Sequence, residues 1–276
     1  MPDAATTERV PVGVDPTRAS IARVYDAFLL GKDNYEIDRQ VLKQVQKAAP
    51  EAQDLAFENR GFLIRVCRFL AGQTGITQFL DLGSGLPTAE NTHQVVQRIN
   101  PETKVVYVDN DPVVLAHGRA LLEENEHTHF VAEDIFDPQK ILENEIVREH
   151  IDFSQPLVLL QMGTLHHFNG DHARPAEIMR EYVDALPSGS FVGLSHFFDP
   201  ENEDSATARR MEDFFVHSPM GSGSFRTQKE IEELFPGLEM VPPGVVRCAD
   251  WWPDGPRLKE LNVAQRTIAG GVGRKP

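Results

Sequence analysis

FLDLGSGLPTAEN, residues 79–91, governs how the rest of the chain is read. An apolar run enters it, Asp81 stands two places before the first glycine, and Gly83-Ser84-Gly85 leads into an expected helix. Glycine permits a tight turn and lets a ligand approach the backbone where a Cβ would collide. The start of a helix adds N–H groups that have no partner inside the helix. A dinucleotide site places a third glycine three residues further on to admit a pyrophosphate; this chain has Thr88 there. A carboxylate at position 81 would also repel a pyrophosphate, and it suits a ligand that carries positive charge.

Two more acids follow at the same rhythm. In VVYVDNDP, residues 105–112, Asp109 closes the next apolar run 26 places after Gly83. Strand ends in such sheets line the ligand crevice. A carboxylate there can accept both hydroxyls of a ribose, with Asn110 beside it as a further contact. In VAEDIF, residues 131–136, Asp134 can accept an adenine amino group while the Ile135 N–H donates to the ring. An acid after each of three successive strands, with glycines after the first alone, is the arrangement that holds S-adenosylmethionine (SAM). Its ammonium group is the cation that Asp81 would face, and SAM is the expected cofactor.

The surrounding pattern predicts the fold. TQFLDL (77–82), KVVYVD (104–109), HFVAED (129–134), PLVLLQM (156–162) and SFVGLSHF (190–197) are continuous apolar runs, as expected of parallel strands buried on both faces. Helical signals lie between them: Asp111-Pro112 and Asp137-Pro138 as N-cap and first-turn pairs, and the stripe Ile178, Met179, Tyr182, Val183, Leu186. This is an α/β chain of doubly wound type. Before it come three amphipathic helices. The first carries Ile21, Val24, Tyr25, Phe28 and Leu29; the second Ile37, Val41, Val45 and Ala48; the third runs from Leu55 to Leu70 and closes near Gly72 and Gly75. After it, Thr227 with Glu230 reads as a capping box. LEMV (238–241) and NVAQRTIAG (262–270) read as a final hairpin-like strand pair around Trp251-Trp252-Pro253. The expected domains are a disordered arm over 1–16, a helical cap or lid over 17–75, and a sheet domain over 76–276.

Composition narrows the partners. The chain has 276 residues, 27 Lys plus Arg against 42 Asp plus Glu, and a formal net charge of −15. Nucleic-acid binding needs phosphate-neutralising basic residues, and no basic run exists, so neither nucleic acid nor an anionic membrane is an expected partner. Cys67 and Cys248 make no disulfide framework or metal spacing. No metal is expected, and without a signal-like or spanning segment the expected location is cytoplasmic.

The chain resembles class I SAM-dependent methyltransferases, and within them the S-adenosyl methyltransferase family long filed as a domain of unknown function. The matching text is ARVYDAFLLGKDNYEIDR (22–39), NRGFL (59–63), QFLDLGSGLPTAENTH (78–93), VVYVDNDPVVLAHGRALL (105–122), DFSQPLVLLQMGTLHHF (152–168) and LEMVPPGVV (238–246). The resemblance implies a Rossmann-like class I methyltransferase sheet under an N-terminal helical lid. It implies that Asp81, Gly83 and Gly85 hold the methionine end, Asp109 the ribose and Asp134 the adenine. It also makes GKDNY (31–35) a lid element through which Asn34, with Tyr25, reaches the cofactor. The family pattern implies Trp-Arg-Pro near the C-terminus; the chain departs from it with Trp251-Trp252-Pro253.

LQMGTLHHF (160–168) follows the fourth strand, where such enzymes place residues beside the transferring methyl. Gln161 and Met162 are expected against the adenosyl and sulfonium portions. His166 and His167, at the start of the next helix, are the candidate general bases, since an imidazole titrates near neutrality. His196 and Asp199 after the fifth strand, and Trp251 and Trp252 as an aromatic wall, are the candidate substrate contacts. The expected reaction is methyl transfer to an oxygen or nitrogen of a small molecule. The alternatives are a non-enzymatic SAM-binding regulator, an NAD-type oxidoreductase and a nucleic-acid methyltransferase. Asp81 and Thr88 speak against the second. QMGTL in place of an Asn/Asp-Pro-Pro-aromatic motif speaks against the third.

Overall fold

The computed structural model describes residues 13–87, 90–122 and 125–276. Residues 1–12 of the expected arm, and Thr88, lie outside them. Val14, within the arm, packs beside a small cluster of Ala22, Leu86, Val113 and Val114.

In chain order the elements are α1 (Ile21–Phe28), α2 (Glu36–Ala48), α3 (Ala52–Gln73), β1 (Gln78–Leu82), α4 (Thr92–Gln97), β2 (Lys104–Asp109), α5 (Pro112–Leu122), β3 (Thr128–Ala132), α6 (Pro138–Glu143), α7 (Glu145–His150), β4 (Val158–Met162), α8 (Arg174–Ala185), β5 (Phe191–Phe197), α9 (Ser205–His217), α10 (Gln228–Glu232), β6 (Glu239–Met240), β7 (Val246–Arg247), α11 (Val263–Arg266) and β8 (Ile268–Arg274). The sheet order is β3-β2-β1-β4-β5-β8-β6, with β7 also on β8. β3 through β5 pair in parallel, and β8 runs antiparallel to β5. The chain winds outward from β1 to β3 and then returns to place β4 on the other side of β1. That reversal opens a crevice at the C-terminal strand ends.

Alternate side chains of one strand enter two different cores. Phe79, Val105, Tyr107, Val158 and Leu160 join the helices α1 to α3 on one face. Leu80, Val106, Val108, Leu157 and Leu159 join α7 and α8 on the other. Burial on both faces is why these strands read as continuous apolar runs rather than as alternation. The segment before β1 is therefore joined to the sheet through one shared core, with α3 lying on β4, β5 and β8. A buried ion pair, Arg23 Nε to Asp38 at 3.0 Å, ties α1 to α2, and Asp38 also accepts the backbone N–H groups of Ser20 and Tyr35. Among the described residues no helix is long and apolar enough to cross a membrane.

The C-terminal hairpin reading is corrected. Asn262 accepts from the Gln265 N–H while the Gln265 side chain accepts from Asn262. This reciprocal capping box turns residues 263–266 into α11. The strand begins only at Ile268 and pairs with β5 along seven residues, from Ile268 against Phe197 to Arg274 against Phe191. LEMV contributes just the two residues of β6, at the far side of β8.

Glycine at position 270 is what allows α3 to seat on β8. A Cβ there would lie 2.6 Å from the Leu194 carbonyl oxygen and 2.8 Å from the Phe62 ring. Gly270→Ala is expected to cost about 1–3 kcal/mol through overpacking, read as a lower urea midpoint at unchanged slope. An unchanged midpoint would show that the two layers are less closely fitted than described.

Candidate functional site

A cavity of about 420 Å³ opens at the C-terminal strand ends, between the loops after β1 to β4 and the helices α1, α3 and α9. The turn after β1 builds its floor. Gly83 (φ 76°) and Gly85 (φ 63°) adopt the left-handed region that glycine tolerates. A Cβ on Gly83 would stand 2.5 Å from Thr164 Cγ2. The Gly83 N–H donates to the Val108 carbonyl at 2.8 Å, which draws the turn over the end of β2.

Two acids sit almost without water on this floor. Asp81 accepts the Thr92 hydroxyl at 2.6 Å. Burial pushes its pKa up from 3.8 to about 6, opposed by the Thr92 bond and the Arg60 charge. Asp109 accepts the Gly85 N–H at 2.9 Å and the Asp111 N–H at 3.0 Å. Burial likewise lifts it to about 6 against those hydrogen bonds. Asn110, Asp134 and Ile135 line the same cavity. Asp134 accepts the Phe136 N–H at 2.9 Å, and Tyr182 donates to the Ile135 carbonyl at 2.8 Å, so this third loop is held from both sides. Ser84 also lines the cavity, and its buried Oγ has no hydrogen-bond partner.

Around the rim the expectations divide. Tyr25 and Met162 line the cavity. Tyr25 receives a hydrogen bond from Asn59 Nδ2 at 3.0 Å, and burial raises its pKa. Asn34 does not line it. Its amide donates to Asp26 at 2.7 Å and to the Gly31 carbonyl at 3.0 Å, knitting GKDNY back onto α1. Gln161 also faces away: it is fully buried and accepts the Thr164 hydroxyl, so it sets Thr164 instead of reaching the cavity itself.

His166 and His167 both line the cavity, on a short 3-10 turn (165–167) that precedes α8 by several residues. Burial drives His166 well below its ordinary pKa and His167 down to about 3, so both are neutral near pH 7. His166 accepts the Phe197 N–H on Nδ1 at 3.3 Å, with its ring stacked on Phe197. His167 pairs Nδ1 with Ser222 Oγ at 3.0 Å.

The remaining substrate candidates lie elsewhere. His196 is fully buried, bonds the Phe197 carbonyl at 2.8 Å through Nδ1, and is not at the cavity. Asp199 accepts the Ser205 hydroxyl and the Glu201 N–H beyond β5. Trp251 is fully buried in the core, edge-on to Phe62 at 5.6 Å and Phe69 at 5.8 Å. Trp252 stacks outside it and donates to the Pro242 carbonyl at 2.9 Å. Neither tryptophan walls the cavity, because the 3-10 turn before them directs both onto α3.

Two α3 residues complete the site without having been singled out from sequence. Asn59 accepts the Ser195 hydroxyl at 2.5 Å and holds Tyr25, and Arg60 lines the cavity close enough to Asp81 to lower its pKa. Their only signal was NRGFL on an amphipathic helix, where a polar pair on the buried side is the anomaly.

Asp81 binds its proton more tightly folded than unfolded, so its contribution to stability is full below about pH 4 and is lost as pH rises through about 6. Asp81→Asn should therefore be more stable than the parent by about 1–3 kcal/mol near pH 7 and equal to it near pH 4, measured by urea unfolding at both values. Equal stability at both would contradict the burial. Trp251→Ala should cost about 3–5 kcal/mol in the same assay.

The sequence profile of the S-adenosyl methyltransferase family matches residues 7–276. The crystal structure of a candidate methyltransferase from Thermobifida fusca YX shares 43% identity and a TM-score of 0.90, covering 96% of this chain and 97% of that one. A DUF574 family protein from Streptomyces avermitilis MA-4680 shares 34% identity and a TM-score of 0.87, over 95% and 99% of the two chains. The mitomycin 7-O-methyltransferase MmcR, at 16% identity and TM-score 0.51 over 96% and 74%, shares the fold. No curated protein matches the chain.

Proposed function

The chain belongs to the S-adenosyl methyltransferase family, and from that premise we propose that it binds SAM across the β1–β3 strand ends and methylates an oxygen or nitrogen of a small molecule. It is a SAM-dependent methyltransferase by family and by fold. The observation that carries the binding mode is the meeting of Asp81, Asp109 and Asp134 in one cavity at the ends of adjacent parallel strands.

The residues present suit the cofactor. An α-amino acid needs an anion for its ammonium and a cation for its carboxylate, and Asp81 and Arg60 line the same end. The orphaned Ser84 Oγ offers a further hydroxyl there. Each Asp109 oxygen already accepts one N–H. A carboxylate has about four acceptor sites, so lone pairs remain for two ribose hydroxyls. Asp134 and the Ile135 N–H suit the adenine edge. When bound, SAM supplies a methyl group on a positively charged sulfur that departs as a neutral thioether.

The chain's own task is then alignment. Holding the acceptor in line with the methyl can supply several kcal/mol, up to about 7–11 in the best intramolecular cases. Met162 and Thr164 fix the strand-end side, and Tyr25, tied to Asn59, closes the other against water. Buried and neutral, His166 and His167 orient an acceptor by hydrogen bonding rather than by charge.

Isothermal titration tests this reading. SAM and S-adenosylhomocysteine (SAH) should bind, and Asp109→Ala should weaken both about ten-fold or more, since bonds to a charged acceptor contribute about 1.5–3 kcal/mol each. Affinity for SAM should fall as pH drops through about 6, because protonation removes the charge of Asp81 and Asp109. No binding of either compound at high micromolar concentration contradicts the proposal.

A further inference from the structure

The two halves of the cavity differ in chemistry. Every acid that lines it belongs to the C-terminal ends of β1 and β2 or to the loops after β2 and β3: Asp81, Asp109, Asp111, Glu133 and Asp134. On the other side of the switch point the walls come from α1, β5, α9, the turn after α9, and β8. They present Phe28, Phe197, Met211, Phe215, Met220 and Ile268. Among the described residues that half contains no carboxylate and no lysine. Its ionisable groups are the Tyr25 hydroxyl, Arg60 and the imidazoles of His166 and His167. Arg60 stands beside Asp81, toward the amino-acid end.

The walls are flat as well as apolar. The Phe197 ring lies parallel to His166, with centroids 3.5 Å apart and planes 10° apart, and parallel to Phe215 at 5.2 Å and 15°. Two methionines beside them supply adaptable, polarisable contact. A cation entering this half would be desolvated without a counter-charge, and an anion would have to draw on Arg60, whose charge already serves Asp81.

We infer that the methyl acceptor is a neutral, ring-bearing, largely apolar compound, and that the atom methylated is the oxygen of its hydroxyl group, which faces His167. This rests on the methyltransferase reading and narrows it from oxygen or nitrogen to one acceptor class. With Nδ1–H donated to Ser222 Oγ, His167 Nε2 keeps a lone pair for that hydroxyl. His166, whose Nδ1 is taken by the Phe197 N–H, has only Nε2–H left to donate. As the oxygen forms its bond to the methyl carbon, the sulfur–carbon bond breaks with its electron pair left on sulfur, and the hydroxyl proton passes to His167. A methylated hydroxyl still carrying its proton is a far stronger acid than an imidazolium, so a histidine weakened by burial suffices as acceptor. The same histidine could not take a proton from an alkylammonium. Charged amines are thus excluded twice, by the apolar wall and by the weak base.

Three probes built on one naphthalene ring distinguish the charge classes: 1-naphthol (neutral), 1-naphthylmethylamine (cationic) and 1-naphthoate (anionic). Each is titrated calorimetrically into the protein saturated with SAH, a readout that does not depend on turnover. 1-Naphthol should bind about ten-fold or more tightly than either charged probe, and it alone should accept labelled methyl from SAM. Met220→Glu places a carboxylate on the partly buried rim without emptying the core; it should weaken 1-naphthol about five-fold or more and admit the ammonium probe. Equal or tighter binding of a charged probe, or no binding of 1-naphthol by protein that binds SAH, overturns the inference and leaves the cofactor assignment standing. Failure to bind SAH itself strikes the earlier reading instead.

Discussion

Burying a carboxylate is among the costlier things a fold can do, and this fold does it twice at one strand-end crevice. Asp81 and Asp109 end adjacent parallel strands, shielded from water; the Thr92 hydroxyl and the nearby Arg60 charge compensate the first, and backbone amides the second. Both are left with pKa values near 6. Hydrophobic burial does not require those acids; apolar residues would serve the sheet better. Such a cost is typical of a site shaped for a ligand. Much else follows from keeping it in place: the left-handed turn at Gly83 and Gly85, the Val108 carbonyl that receives the turn, and the α3 helix that brings Arg60 to the rim.

How much of this was legible in the sequence depended on the range of the signal. The parallel strands announced themselves because each is buried on both faces, and the acids at their ends were visible as the first polar residues after each apolar run. Local capping chemistry was legible where it was sought, at Asp137 and Thr227. It was missed at Asn262, whose N-x-x-Q box turned an expected strand into a helix. Side-chain direction was the weak point. Gln161 and Met162 are neighbours on one strand, so they must point to opposite faces, and only Met162 reaches the cavity. Trp251 and His196 stood close to the crevice in sequence terms yet turned into the core.

Long-range partners were not legible at all. Asn34 carries the look of a polar residue waiting for a ligand, but its amide is consumed by Asp26 eight residues earlier. Asn59 joins Tyr25 on α1 to Ser195 on β5, a three-way link that no spacing rule contains. Because α3 sits within the same core as the sheet, such links make the helical segment part of the site's frame. The division of the cavity into an acidic flank and an apolar flank is likewise a product of topology: β3-β2-β1 on one side of the reversal, β4-β5-β8 on the other.

The most direct test of the account is a crystal structure of the complex with SAH. It predicts the two ribose hydroxyls on the Asp109 carboxylate, the ammonium group beside Asp81 with the amino-acid carboxylate toward Arg60, and the adenine amino group at Asp134. A nucleoside bound with its ribose away from Asp109, or seated outside the cavity between β1, β2 and α3, would contradict it.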